Sequence, residues 1–344
     1  MPEQFRKGVL VPRLDDVAAA AGVARSTASR VMSGEATLTI REETRQRVLD
    51  AAAKLGYRPD TRARALRLKR TYALGIVVPE IDNPAFGTII RSAQKAAIER
   101  GYSLFISLAD KDQPDTALYR RLVEGKGVDG VLVTTISDPG LVDELRRRSI
   151  KHLLVNRELE GHQGSIIVDY VEATAQVVEH LVMLGHRRLA FISGPLHQYA
   201  GQKRLEGFTK GLRRCGLVPD EQLIGECNYG WAEAAEVFKR IYVASAAPPS
   251  AVCAANTTIA SGMIAGARSI GLEVPDELSV ISLLDSPLAL MHVPAISAVQ
   301  FPFEELGRLA ANELIDAIEN GSEMENVRLE RFRIAERGSV SSLR

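Results

Sequence analysis

From residue 71 to residue 340 the chain repeats one pattern: a short run of β-branched and aliphatic residues, then a longer stretch of helical periodicity. A first series of runs occupies 74–79, 103–107, 130–134 and 152–156; a second occupies 189–194, 251–255 and 278–282. Within each run the apolar residues are continuous instead of alternating. Such runs suit strands covered on both faces, which is what helical crossovers do to a parallel sheet. Roughly 270 residues are too many for a single hydrophobic core, so two α/β lobes are expected.

Open parallel sheets bind ligands just beyond the carboxyl ends of their strands. That rule selects Asn83 and Phe86, Asn156 and Arg157, Asp169, Asn256 and Asp285. Polar side chains with a few aromatics match a hydroxylated small molecule better than an apolar one. The competing reading of each residue alone is a loop group capping the next helix, because Asn, Asp and Ser favour turns.

The first 70 residues are a different material. Apolar positions over 14–21 fit a short helix, Gly22 and Val23 interrupt it, and 25–32 resumes as a second helix. Two short helices across a Gly-containing turn match a helix-turn-helix, whose second helix enters the DNA major groove. These 70 residues carry 15 Lys+Arg and 8 Asp+Glu, whereas the remainder carries 28 and 35. The net charge of zero therefore conceals a basic end and an acidic body. A basic end fits phosphate contacts that release counterions; a merely solvated basic face is the alternative.

Thr39 and Glu42 have capping-box spacing and would open a third helix, with Val48, Leu49, Ala52 and Leu55 on one face. Gly56 and Pro59 would end it. Three short helices have little core, so this end should be the marginally stable part. Residues 60–70 place Ala63, Ala65 and Leu66 among five basic side chains. A helix that short is unstable alone, which suits a segment that orders against DNA; a charged tether is the alternative.

Ala21 through Val31, Thr44 with Arg45, Leu55 through Pro59, and Ala63 with Leu66 resemble the headpiece of the LacI/GalR family of bacterial transcription regulators. The resemblance implies a homodimer whose two second helices read half-sites of a double-stranded DNA operator. It implies hinge helices paired in the minor groove, where Leu66 wedges a base step apart. DNA contacts are implied for Arg25, Ser26, Thr27, Ser29, Arg30, Tyr57, Arg62, Ala63 and Leu66. The resemblance continues through His180 to His186, Ile192 to Pro195, Arg204 to Phe208 and Val274 to Val280. It there implies a two-lobed sensor, similar to periplasmic sugar-binding proteins, that closes over an effector. By position, Phe86, Arg157, Asp169, Arg204, Tyr229, Asn256 and Asp285 would line that cleft, with Phe86 stacking on a sugar ring.

The chain departs from the family pattern at several places. Arg13 stands where a Thr caps the first helix, Ala24 where a Ser caps the second, and Asp60 where the hinge commonly has Asn. Each lost cap costs about 1 kcal/mol, partly offset for the first helix by Asp15 and Asp16 near its positive end. Asn256-Thr257 replaces Asn-Asp, and Leu284-Asp285 replaces a pair whose first member is acidic. With that carboxylate missing a neutral polyol is less expected, and Arg157 and Arg204 would suit an acidic sugar, although arginines also bind neutral hydroxyls.

The remaining signals are negative. Cys215, Cys227 and Cys253 are scattered and lack metal spacing, as reduced cytosolic thiols would be. No export signal, 20-residue apolar span, phosphate loop, dinucleotide fingerprint, GxSxG or HExxH is found. His180 and His186 read as structural.

The expected architecture is α/β: a three-helix helix-turn-helix headpiece over 1–59, a hinge helix over 60–70, and a two-lobed periplasmic-binding-protein-like domain with parallel sheets over 71–344. The expected role is a cytoplasmic, homodimeric, sequence-specific repressor whose operator affinity answers to a sugar, sugar acid or derivative. No cofactor, metal, catalytic residue or membrane partner is expected. The alternative is a small-molecule-binding protein or an enzyme of carbohydrate metabolism on the same lobes.

Overall fold

The computed structural model describes residues 12–32, 38–57, 70–79, 83–109, 119–120, 122, 127–136 and 140–343. It divides into two compact units, residues 1–71 and 72–344.

In the first unit α1 (Leu14–Ala21), α2 (Arg25–Met32) and α3 (Glu42–Leu55) surround a small core of Val17, Ala18, Ala21, Ala28, Val31, Leu38, Val48, Ala51 and Ala52. Gly22 ends α1 at φ 64°; its N–H and that of Val23 return to Ala19 and Ala18. This is a Schellman cap, and only glycine adopts that φ without strain. Gly56 ends α3 the same way, with Tyr57 bonding back to Ala52. At the other end of α1 the Asp16 carboxylate accepts from the Arg13 N–H at 2.7 Å, supplying half of a capping box.

Two expectations for α3 need correction. The helix starts at Glu42 with Arg41 as its N-cap and no side-chain cap bond, so Thr39 and Glu42 form no box. Leu38 is buried, Thr39 exposed and Ile40 half-buried, the alternation of an extended strand-like approach that delays the helix. The buried face is Val48, Ala51 and Ala52, while Leu49 and Leu55 are exposed. The hinge helix expected over 60–70, with Arg62, Ala63 and Leu66, lies outside the described residues apart from Arg70.

The second unit contains two sheets. In the first lobe β1 (Ala73–Val78), β2 (Ser103–Leu108), β3 (Gly130–Val133), β4 (Lys151–Val155), β5 (Ser165–Val168) and β11 (Asn326–Leu329) run parallel in the order β11-β5-β4-β3-β1-β2. In the second, β6 (Leu189–Ser193), β7 (Ile224–Glu226), β8 (Ala251–Ala254), β9 (Ser279–Ser282), β10 (Ser297–Gln300) and β12 (Arg333–Ala335) follow the order β12-β10-β9-β8-β6-β7. Here β12 pairs antiparallel with β10, so this sheet is mixed at one edge, not wholly parallel. An antiparallel edge strand is common on such sheets.

Strand residues alternate between two cores in each lobe. Leu74, Ile76 and Val78 face one cluster and Ala73 and Val77 the other. Val252 and Ala254 oppose Ala251 and Cys253 likewise. The continuous apolar runs are explained by this two-sided burial. The exception is β2, expected to be covered on both faces: it is the sheet's edge, and its Phe105, Ile106 and Leu108 are exposed.

Helices α4 (Pro84–Glu99), α5 (Leu141–Arg147) and α11 (Phe303–Asn320) cover the first sheet; α6 (Tyr170–Met183), α7 (Tyr199–Arg214), α8 (Trp231–Ala244) and α9 (Thr257–Ser269) cover the second. The short α10 (Pro287–Met291) packs beside α9. The chain crosses between lobes three times: from β5 to α6, from β10 to α11, and from β11 to β12. Three adjacent connections make a hinge, and the carboxyl ends of both sets of strands meet there.

Candidate functional site

On α2 the inward side is Ala28 and Val31, both buried. Arg25, Ser26 and Arg30 are exposed and Thr27 and Ser29 half-exposed, so the residues expected to read DNA form the outward stripe. Arg25 reaches back to Asp15 at 3.2 Å, with both side chains more than half exposed. Such a pair contributes little to folding and is easily exchanged for a phosphate. Tyr57 is half-buried against the headpiece core, which gives it a packing role beside any contact with DNA.

In the second unit the cleft is built around Tyr170, the first residue of α6 and 3% exposed. From the first lobe Asn156, at the end of β4 with φ 58°, donates from Nδ2 to the Tyr170 hydroxyl at 2.8 Å. From the second lobe Arg204 lays its guanidinium over the ring, with its central carbon 4.4 Å from the ring centroid. Phe301, on the second crossover, meets the ring edge-on at 5.1 Å. One aromatic side chain is therefore gripped from both lobes. Burial holds the Tyr170 phenol above its usual pKa, so it serves as a neutral platform.

The placement of Arg204 follows from close helix packing. An added Cβ on Gly207 would overlap the carbonyl of Val171, and one on Gly211 would crowd that of Ala175. Two glycines thus let α7 approach the backbone of α6, bringing Arg204 onto Tyr170.

Arg204 is 4% exposed, its Nε has no hydrogen-bond partner, and among the described residues no Asp or Glu forms an ion pair with it. A buried ion costs several kcal/mol of desolvation. A desolvated cation–π contact returns about 2 kcal/mol. The guanidinium also hydrogen-bonds the Tyr170 hydroxyl, so one tyrosine supplies both its ring and its oxygen to the cation. Asn156 Oδ1 and Ser193 Oγ, also buried at strand ends, lack partners too.

The other expected cleft residues are disposed as follows. Asp169 and Asn256 cap α6 and α9, accepting from Glu172 N and Ile259 N, each at 2.9 Å. Asp169 also lies 3.7 Å from Arg328. Tyr229, at φ 60°, lies across Gly194, where an added Cβ would overlap its ring, and its hydroxyl donates to Gln198 at 3.5 Å. Arg157 is half-buried next to Asn156.

Two residues depart from what was expected. Phe86 is buried within the first-lobe core on α4, packed with aliphatic neighbours, which leaves little of its ring for a sugar. Asp285 is consumed by Arg337, which grips it with two N–H groups at 2.8 and 2.7 Å, while Gln300 donates at 2.6 Å and Ser286 N at 2.9 Å. It holds the fold, with no oxygen spare for a ligand.

Tyr170 and Glu158 were not foreseen. Glu158 leaves the first lobe to meet Lys203 of α7 at 4.0 Å, hydrogen-bonds Tyr199 and lies 3.6 Å from Arg328. The one sequence cue for Tyr170 is its place directly after Asp169 at a strand end. Among the described residues no group of three His, Cys, Asp or Glu could hold a metal, and no helix is long and apolar enough to cross a membrane. His186 is structural, bonding Ser250 Oγ at 2.9 Å and the Ser341 carbonyl at 3.0 Å.

A helix-turn-helix followed by a two-lobed binding domain defines a transcription regulator with a DNA-reading end and a sensing end. Residues 13–60 match the model of the bacterial regulatory proteins of the lacI family, and 178–340 match the periplasmic binding protein-like domain. The HTH-type transcriptional regulator DegA of Bacillus subtilis is 31% identical over 297 residues, covering 85% of this chain and 87% of the relative. The transcriptional regulator CelR in complex with cellobiose is similar at a TM-score of 0.73 and 27% identity, covering 95% and 99% of the two chains. The lac repressor dimer bound to operator and the anti-inducer ONPF gives a TM-score of 0.86 at 23% identity, covering 96% and 99%. The chain belongs to the LacI family of bacterial transcription regulators.

Proposed function

We propose that the protein is a homodimeric, cytoplasmic repressor whose grip on a DNA operator is set by a small hydroxylated metabolite held between the two lobes. The observation that carries the reading is the convergence of Asn156 and Arg204, from opposite lobes, on Tyr170. A ligand at that point bonds both lobes at once and so favours one lobe arrangement over another. It shifts the operator equilibrium by its difference in affinity for the two arrangements and by no more. The cellobiose complex of the CelR relative supports a sugar-sized occupant.

Arg25, Ser26, Thr27, Ser29 and Arg30 read the operator, with Tyr57 buttressing the headpiece. Arg62, Ala63 and Leu66 act in the minor groove, with Leu66 as the wedge. Arg157, Asp169, Tyr229 and Asn256 line the cleft around Arg204, the last two shaping its second-lobe wall. Regulation in place of catalysis is supported by the relatives, which are transcription regulators.

Dimerisation draws support from exposed apolar residues: Ile106 and Leu108 on one face of β2 with Phe105 on the other, and Leu290, Met291 and Val293 on and beyond α10, the last three 65%, 76% and 81% exposed. Exposed apolar surface of that density marks an interaction face. Gel shift of the full chain against fragments of its neighbouring promoters tests the reading. Sequence-specific retardation is expected, with Leu66→Ala weakening specific binding far more than non-specific binding. Retardation that is indifferent to sequence, or an equal loss in both, contradicts it.

A further inference from the structure

We propose that the chain's own side chains latch the two lobes together, with Glu158 as a polar clasp and Leu284 as an apolar plug. The latch gives the lobe arrangement a set point that belongs to the protein and not to its effector. Its consequence for DNA rests on the reading that lobe arrangement governs the grip on the operator.

Glu158 lies on the loop between β4 and β5, two strands of the first sheet, yet two of its partners stand on α7 of the second lobe. The Tyr199 hydroxyl donates to its carboxylate, and Lys203 Nζ lies 4.0 Å away. Arg328 of β11, 3.6 Å from Glu158, ties the carboxylate to its own lobe. Lys203 is shared with Glu206 of its own helix at 3.1 Å. A hydrogen bond to an ionised carboxylate is a strong polar contact, whereas a half-exposed lysine pair adds little. Most of the clasp is therefore the bond from Tyr199 to Glu158. Burial, then the Glu158 charge, raise the Tyr199 pKa, so the phenol stays a donor.

Leu284 follows β9 of the second sheet but is 2% exposed within the first-lobe cluster of Phe86, Ile89, Tyr170 and Phe303. Tyr199 and Ala200 pack against the same cluster. The plug is rigidly mounted. The Leu284 carbonyl accepts from Ser282 Oγ at 2.6 Å and from Thr257 Oγ1 at 2.8 Å, and Asp285 beside it is held by Arg337. Thr257 and Leu284, both departures from the family pattern, are thus bonded to each other. A side chain fixed so firmly to the second lobe cannot follow the first lobe when the two part. Separation therefore exposes Leu284 and the Tyr199 ring to water and breaks the bond to Glu158 in one motion. Costs that fall together favour two discrete arrangements over a continuous range.

Hydrogen exchange of the full chain without added ligand reads the latch, and operator affinity of the same samples reads its consequence. In Glu158→Gln and Leu284→Ala, exchange over 156–164 and 196–204 should quicken about fivefold or more, as loss of one such contact implies. Exchange over 251–254, in the middle of the second sheet, should stay as in the wild type. Operator affinity should shift in the same direction in both variants. Tyr199→Phe removes only the donor, so it should reproduce Glu158→Gln and add nothing when combined with it. Wild-type exchange in Glu158→Gln, or in a folded Leu284→Ala, overturns the inference and leaves coupling between cleft and operator standing. Additive effects of Tyr199→Phe and Glu158→Gln, or acceleration that spreads to 251–254, mark general loosening and overturn it too. Faster exchange with unaltered operator affinity upholds the latch and contradicts the reading of operator control. Should Leu284→Ala fail to fold, Glu158→Gln and Tyr199→Phe still decide.

Discussion

Arg337 closes a two-pronged ion pair on Asp285 across 52 residues of chain, with both side chains at most 15% exposed. The pair fastens the segment after β12 to the loop after β9, at the same strand ends that form the cleft. Desolvation pushes the Asp285 carboxyl up, but the bonds from Arg337 and Gln300 outweigh it and hold the pKa below its ordinary value. Breaking such a pair leaves an uncompensated buried charge. Arg337→Met should cost about 3 kcal/mol in chemical denaturation, and Asp285→Asn less, because the asparagine keeps hydrogen bonds. Effector affinity should fall little in Asp285→Asn; a loss as large as that from Arg204→Gln would restore Asp285 to the binding site.

His152 and His162 stack with ring centroids 5.2 Å apart, and Arg146 lies 2.9 Å from His162 Nδ1. Burial, then the neighbouring His152 and Arg146, drive the His162 pKa down to about 4, and burial lowers His152 too. Unfolded, His162 binds its proton near pH 6.5, whereas in the folded chain it refuses it until about pH 4. Stability is therefore full above pH 6.5 and falls as pH drops through that window, by about 3 kcal/mol for His162 at most. Thermal melts between pH 7 and pH 4.5 should show the decline, and His162→Gln should flatten it. An unchanged slope in the variant would refute the assignment.

The exposed stripe of α2 makes a separable prediction. Arg25→Ala and Arg30→Ala should leave the melting temperature nearly unaltered, because the side chains are exposed. Each should weaken operator binding by roughly 10-fold or more, and loss of a phosphate contact should reduce the salt slope by about 1. Fluorescence anisotropy across a salt series separates the two kinds of contact.

Met291→Glu puts a charge into the exposed apolar group on and beyond α10. Sedimentation should show the wild type as a dimer and the variant shifted to monomer, with operator affinity falling in step. A variant that stays dimeric would move the interface away from α10.

Legibility in the sequence followed burial. The seven runs recognised as strands are all strands, and six are buried on both sides, which gives a continuous apolar signal. The strands not foreseen are β5, β7, β10, β11 and β12. Four residues such as Ser165–Val168, or the half-exposed edge Asn326–Leu329, carry too little periodicity to stand out. Capping failed for a different reason: Leu38 and Ile40 prefer burial in the headpiece core to the helix start that Thr39 could have capped.

At the site, strand ends were legible where the strand itself was, and Arg157, Asn256 and Asp285 do lie there; Asp169 lies at the end of β5, which was not foreseen. Partnership was not legible. Nothing near Asp285 in the chain announces Arg337, and nothing near Arg204 announces that no carboxylate will meet it. Those facts depend on which of many distant charges the fold brings together.

The central claim is energetic coupling between the cleft and the operator-reading helices, and reciprocal titration of the full chain measures it most directly. Operator affinity is determined with and without a saturating cleft ligand, and ligand affinity with and without saturating operator. The account predicts that both affinities change by the same factor, between about 5 and 150. A ligand that binds in the cleft, is lost in Arg204→Gln, and yet leaves operator affinity unaltered would contradict it.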